Sequence, residues 1–328
     1  MPHPDNSNWM SMLFGRPVKL ERPLSPDDIV GRREKFDLSA TNAEPLADVA
    51  QAHRAVPVRE RRDGSTLAAD VYVPHGDPPF PTLLYLHGSM FCLASSWDFR
   101  KLARRYAEQG FCVFVLDYAL APERPFPCAV KVAVCALRWL TRNAADFGGD
   151  ASRLLVAGDS AGANIGAGAI AYLAGNDGRE LDQGDLAGVA TALTAAAFFY
   201  GIFDFPLLMR EPFSNVGSIE VMGNQAYLGP HYLTVHTDPL VSPALADVSG
   251  FPPTYVTCGA EDSFLGQSLS LAKALALANV PLTLSVVQGA DHAFAQLDHL
   301  LPQAAEELQR VFTWLRRAAG IETAVAVG

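Results

Sequence analysis

From Pro81 onward the chain alternates short, almost uninterrupted apolar runs with longer amphipathic stretches, and few folds accept that rhythm. Residues 82–86, 111–116, 153–157, 192–200, 254–258 and 282–287 read as strands. A strand buried on both faces is apolar throughout, because successive side chains point to opposite sides and each side meets core. Between these runs, residues 98–109, 129–145, 161–174, 266–278 and 302–317 carry helical spacing. The alternation predicts an α/β fold, a mostly parallel central sheet with helices on both faces. An earlier pair, residues 55–60 and 67–73 around Asp63-Gly64, reads as an antiparallel hairpin at the sheet edge.

Two regions break the rhythm. Residues 1–52 hold two weak helical patterns, and residues 201–237 are rich in Gly, Pro, Phe, Met and Tyr without a clean period. Both are assigned as helical cap segments beside a core of residues 53–200 and 238–320, and residues 321–328 as a frayed tail. A composition of 49% hydrophobic residues suits a large core, and a net charge of −10 argues against a nucleic-acid partner, since phosphate binding needs a basic face. The first ten residues lack an apolar signal region, and the longest apolar stretch, 189–203, contains Thr191, Thr194 and Gly201. Neither a secretory signal nor stable membrane insertion is expected. Five cysteines, an odd number without CxxC spacing, read as thiols in a reducing cytoplasm.

The strongest chemical signal is Gly158-Asp159-Ser160-Ala161-Gly162, directly after one strand and directly before an alanine-rich helix. A G-x-S-x-G turn reverses the chain sharply and leaves its serine exposed at a helix N-terminus, where free N–H groups favour developing negative charge. His292 lies in the loop after the last strand, where a general base for Ser160 has to stand. The third member belongs in the loop after the preceding strand, which offers both Glu261 and Asp262. Spacing alone barely separates them, and Asp291 is disfavoured because it adjoins His292 in the chain. The loop His87-Gly88-Ser89-Met90-Phe91 follows the strand at 82–86 and can aim N–H donors at an oxyanion, with the N–H of Ala161 adding another. His87 itself reads as a structural hydrogen-bonding residue.

These motifs resemble the hormone-sensitive-lipase family of bacterial carboxylesterases, which has an α/β-hydrolase fold. The resemblance rests on Gly158–Gly162, on Asp117-Tyr118-Ala119-Leu120-Ala121-Pro122-Glu123 with Pro125-Phe126-Pro127, and on Asp238-Pro239-Leu240-Val241-Ser242-Pro243. It covers about residues 55–317. It implies a triad of Ser160, Asp262 and His292, an N-terminal helical cap over a pocket and no cofactor, and the lack of HExxH or paired Cys/His spacing argues against a metal. The resemblance also implies hydrolysis of esters with short to medium acyl chains. Relatives often dimerise, so a homodimer is admitted.

The departures are specific. The family's HGGG is here His87-Gly88-Ser89-Met90, and the resemblance assigns the oxyanion hole to Gly88, Ser89, Met90 and Ala161. Glycine suits such a loop because it tolerates φ > 0. Met90 is therefore expected either to tilt the loop or to extend into the acyl pocket, and a lost donor costs about 3–4 kcal/mol of transition-state stabilisation. Ala119 and Gly266 also replace the family's usual Arg and Asp. Phe91, Trp97, Phe203, Phe205, Met209 and Met222 are candidates to line the pocket, with core packing the competing assignment. Two other functions stay open: amidase, lactonase, acyltransferase or cyclase chemistry on the same triad, and a non-catalytic small-molecule binder.

Overall fold

The computed structural model describes residues 26–33, 38, 42, 45–60, 66–175, 181, 186–210 and 225–321. The expected turn at Asp63-Gly64, most of the first cap segment, residues 211–224 of the second with Met222, and the tail beyond Ile321 lie outside these residues. In chain order the elements are α1 (Pro26–Arg33), β1 (Gln51–Glu60), β2 (Thr66–Val73), β3 (Phe80–Leu86), a 3-10 turn (Ser96–Phe99) and α2 (Arg100–Glu108). There follow β4 (Cys112–Leu116), α3 (Cys128–Asn143), β5 (Gly149–Asp159), α4 (Ala161–Leu173), α5 (Ala187–Ala192) and β6 (Leu193–Phe199). The last third holds α6 (Phe205–Arg210), α7 (Tyr232–Val235), β7 (Thr254–Gly259), α8 (Leu265–Leu277), β8 (Leu282–Val287) and α9 (Pro302–Ala318).

The eight strands form one sheet in the order β1-β2-β4-β3-β5-β6-β7-β8. The pairs β1–β2 and β2–β4 are antiparallel, and the remaining pairs are parallel. Every residue of β3, β4 and β7 is buried, which is why these strands read as continuous apolar runs. The alternation of side chains splits their apolar residues between two cores. Leu84, Leu86, Phe114, Val156 and Phe198 meet α3, α4 and α8 on one face. Leu83, Tyr85, Val113, Leu155 and Phe199 meet α2 and α9 on the other. The edge strand β8 is only half covered, leaving Leu284 exposed. No described helix is long and apolar enough to cross a membrane.

Parallel strands bring their C-terminal ends to one rim of the sheet, and that rim is where an open α/β sheet offers a crevice. The loops after β3, β5, β7 and β8 leave from it carrying His87, Ser160, Asp262 and His292 respectively.

Candidate active site

The turn between β5 and α4 is built by two glycines. A Cβ on Gly162 would stand 2.0 Å from the Leu86 carbonyl oxygen, and one on Gly158 would stand 2.8 Å from the Gly162 carbonyl carbon. Only bare backbone lets the turn press this closely on β3. Ser160 takes φ 50° and ψ −116° at the apex, a sparsely populated backbone conformation that costs about 1–3 kcal/mol. Behind it α4 is buried from Ala161 to Ala171, so the apex rests on a rigid helix.

Three side chains from separate loops meet at that apex. His292 Nε2 lies 3.0 Å from Ser160 Oγ, and His292 Nδ1 lies 2.9 Å from Asp262 Oδ2. The Asp262 side chain is fully buried, and its Oδ1 accepts the Phe264 N–H at 2.7 Å. Its Oδ2 also faces the Cys258 thiol at 3.4 Å. The imidazole is held edgewise by Tyr200 and Phe264, with ring centroids 4.9 and 5.0 Å away. Geometry thus separates the acids that spacing left open. Glu261 is exposed, and Asp291 Oδ1 accepts the backbone N–H of its neighbour His292 at 2.7 Å.

The loop after β3 runs beside this apex with Ser89, Met90 and Phe91 at φ 88°, 57° and 63°. Residues with side chains here hold positive φ values that glycine adopts at least cost. Among the described residues no backbone acceptor takes the N–H of Ser89 or Met90. Ala161 opens α4, so its N–H has no partner within the helix. Gly88 differs from the expectation: its N–H donates to Asp159 Oδ1 at 2.9 Å, which removes it from the set of oxyanion donors.

Comparison with known proteins decides the family. Residues 83–296 match the family described as alpha/beta hydrolase fold. The carboxylesterase NlhH of Mycobacterium tuberculosis is 31% identical over 269 residues, 80% of this chain and 82% of the relative. The ethyl acetate hydrolase of Pseudomonas putida is 31% identical over 326 residues, 96% of this chain and 98% of that one. Among solved structures, the ester hydrolase EH1AB1 from the metagenome of Lake Arreo superposes with a TM-score of 0.78 at 25% identity, covering 98% of this chain and all of that one. The chain belongs to the α/β-hydrolase family. Within it, the chain falls in the hormone-sensitive-lipase type.

The hydrolase arranges its expected pocket residues unevenly. Phe91, Phe203 and Phe205 have almost no accessible surface and pack in the core, so the packing assignment describes them. Phe91 stacks on Tyr227 at 3.8 Å, and the Phe203 N–H donates to Gln267 Oε1. Trp97 is 43% exposed, its ring flanked by the guanidiniums of Arg54 and Arg100 at 4.0 and 4.4 Å. These two contacts engage the indole on the protein surface. Met209 is exposed at the end of α6, whereas Met90 is partly buried against the core. His87 is buried, donates from Nδ1 to the Gly88 carbonyl at 2.9 Å, and stacks between Phe99 and Tyr118. Burial lowers its pKa, which suits a neutral structural imidazole.

Sequence reasoning missed the residues that brace the site. Asp159 is fully buried and accepts Tyr85 Oη–H at 2.7 Å, the Gly88 N–H and Gln296 Nε2–H at 3.1 Å. Desolvation nevertheless pushes its carboxyl up to about 6. The segment 117–123 braces the loop after β3: Asp117 accepts from Ser96, Tyr118 Oη–H donates to the His87 carbonyl, and the Ala121 N–H donates to the Phe91 carbonyl. Its resemblance to the family's stretch was the only signal available in advance. Among the described residues no group of His, Cys, Asp and Glu stands together as a metal set.

Proposed function

We propose that this carboxylic ester hydrolase works through an acyl-enzyme on Ser160. The observation that carries the reading is the continuous contact from Ser160 Oγ through His292 to the buried Asp262 carboxylate. Ser160 Oγ attacks the ester carbonyl carbon while His292 Nε2 takes its proton, and Asp262 holds the Nδ1–H tautomer and stabilises the imidazolium. The negative oxygen of the tetrahedral intermediate is received by the N–H groups of Ser89, Met90 and Ala161. The intermediate collapses as His292 passes its proton to the departing alcohol. Water then repeats the cycle on the acyl-enzyme, releasing the carboxylic acid and restoring the serine. Short to medium acyl chains are the proposed substrates. The sequence likeness to an ethyl acetate hydrolase over nearly the whole of both chains supports the short end of that range.

Burst kinetics with p-nitrophenyl acetate, butyrate and octanoate test the proposal. A stoichiometric burst is expected from the wild type. Ser160→Ala should lose it and lower kcat by on the order of 10⁶-fold. A folded Ser160→Ala variant with wild-type turnover would remove Ser160 from the mechanism. Product analysis with a competing alcohol separates hydrolysis from acyl transfer on the same triad.

A further inference from the structure

The loop after β3 holds three successive non-glycine residues in the left-handed region, and L-residues released from restraint leave it. Relaxation of Ser89 or Met90 to negative φ would turn their N–H groups away from the apex of the elbow. Something must therefore hold both ends of the loop. At its start the Gly88 N–H is fixed by Asp159, and the Gly88 carbonyl accepts from Tyr118 Oη–H at 3.3 Å. At its end the Ser89 carbonyl accepts from the Cys92 and Leu93 N–H groups at 3.2 and 3.0 Å, and further holding atoms come from one side chain outside the hydrolase core.

Arg33, the last residue of α1, donates from Nε to the Cys92 carbonyl at 2.5 Å and from NH2 to the Ala121 carbonyl at 2.6 Å. Its two terminal nitrogens also grip Glu123 in a fork, at 2.5 and 2.7 Å. Arg33 is the first cause of the lowered Glu123 pKa, which keeps that partner charged. The Ala121 N–H in turn donates to the Phe91 carbonyl at 2.9 Å. One planar guanidinium thus fixes the carbonyl of Cys92 directly and that of Phe91 at one remove. A fork of this shape gives direction as well as charge, which an ammonium cannot reproduce. Ile29, buried in the core from the same helix, seats α1 independently of the fork.

We propose that Arg33 is a positioning residue for the oxyanion loop: α1 adds a restraint, beyond the loop's own main-chain hydrogen bonds, that keeps Ser89 and Met90 in a backbone conformation otherwise suited to glycine. The inference rests on the proposed role of those two N–H groups.

The test pairs Arg33→Ala with the loop double variant Ser89→Gly/Met90→Gly, measuring kcat and KM on p-nitrophenyl butyrate. Turnover is counted per site labelled by a fluorophosphonate, so any misfolded fraction drops out. In the native loop Arg33→Ala should lower kcat by on the order of 10- to 100-fold, with KM changed far less. In the glycine loop, where positive φ costs little, the same substitution should lower kcat by only a few-fold. Arg33→Lys, which keeps the charge and loses the fork, should behave like Arg33→Ala and serves in its place if that variant does not fold. Unchanged kcat, a loss confined to KM, or the same loss in both loop backgrounds would overturn the proposal. Failure of the wild type to label at Ser160 is a separate result that removes the underlying reading, and the inference falls with it.

Discussion

Asp159 adjoins Ser160 in the chain, and Cys258 touches the carboxylate that faces His292. Asp159 is deprived of water, and three donors do not fully replace what it lost, so its carboxyl titrates near 6 instead of in the usual range. A carboxyl raised in the folded state contributes stability below its unfolded pKa, and that contribution is lost as pH rises through about 6. Asp159→Asn keeps an acceptor for Tyr85 and Gly88 without the charge. Thermal melts should show the wild type losing about 2 kcal/mol between pH 4 and pH 7 through this group, and the variant showing a flatter profile. A variant with the wild-type pH slope would exclude Asp159 as its source. Cys258 places its thiol on the carboxylate oxygen that faces His292. Removing this weak donor in Cys258→Ala leaves more negative charge facing the ring, which favours the imidazolium. The acid limb of the kcat/KM profile should therefore move up by roughly a few tenths of a pH unit.

The elbow is the element that least tolerates change. Gly162→Ala would drive a methyl into the Leu86 carbonyl, and α4 cannot retreat because it is buried along most of its length. The variant should lose at least about 1–3 kcal/mol in urea unfolding and most of its turnover, with Ser160 still present. This element and the central strands were legible in the sequence, since burial on both faces leaves one uninterrupted apolar run and the turn needs its glycines. Boundaries were less legible where strands carry polar residues. β1 begins at Gln51 and β5 at Gly149, each four residues before its apolar stretch, and α5 occupies residues assigned in part to a strand. Ser160, Asp262 and His292 could be found because each sits in a loop after a strand. Asp159 occupied a variable position of its motif. Tyr85, Gln296 and Arg33 act through partners 74, 137 and up to 90 residues away, and such distant pairings leave no periodic trace.

Across the whole molecule, the loop that carries His292 is moored to α2. Asp298 is almost fully buried and receives both Lys101 and Arg105, while Lys101 also reaches the Gln296 carbonyl and His299 Nδ1. Burial lowers the Lys101 pKa despite Asp298, a sign of how little water reaches the ammonium. Asp298→Ala would leave that ammonium buried without its counter-charge, and unfolding experiments should show a loss of about 3–5 kcal/mol. The same long reach governs when activity first exists. His292 follows Ser160 by 132 residues and meets it only after β6, β7 and β8 have joined the sheet. At a synthesis rate of about 5–20 residues per second, roughly 7–26 s separate the making of Ser160 from that of His292. On the proposed mechanism, a nascent chain carries Ser160 through that interval as an unactivated alcohol.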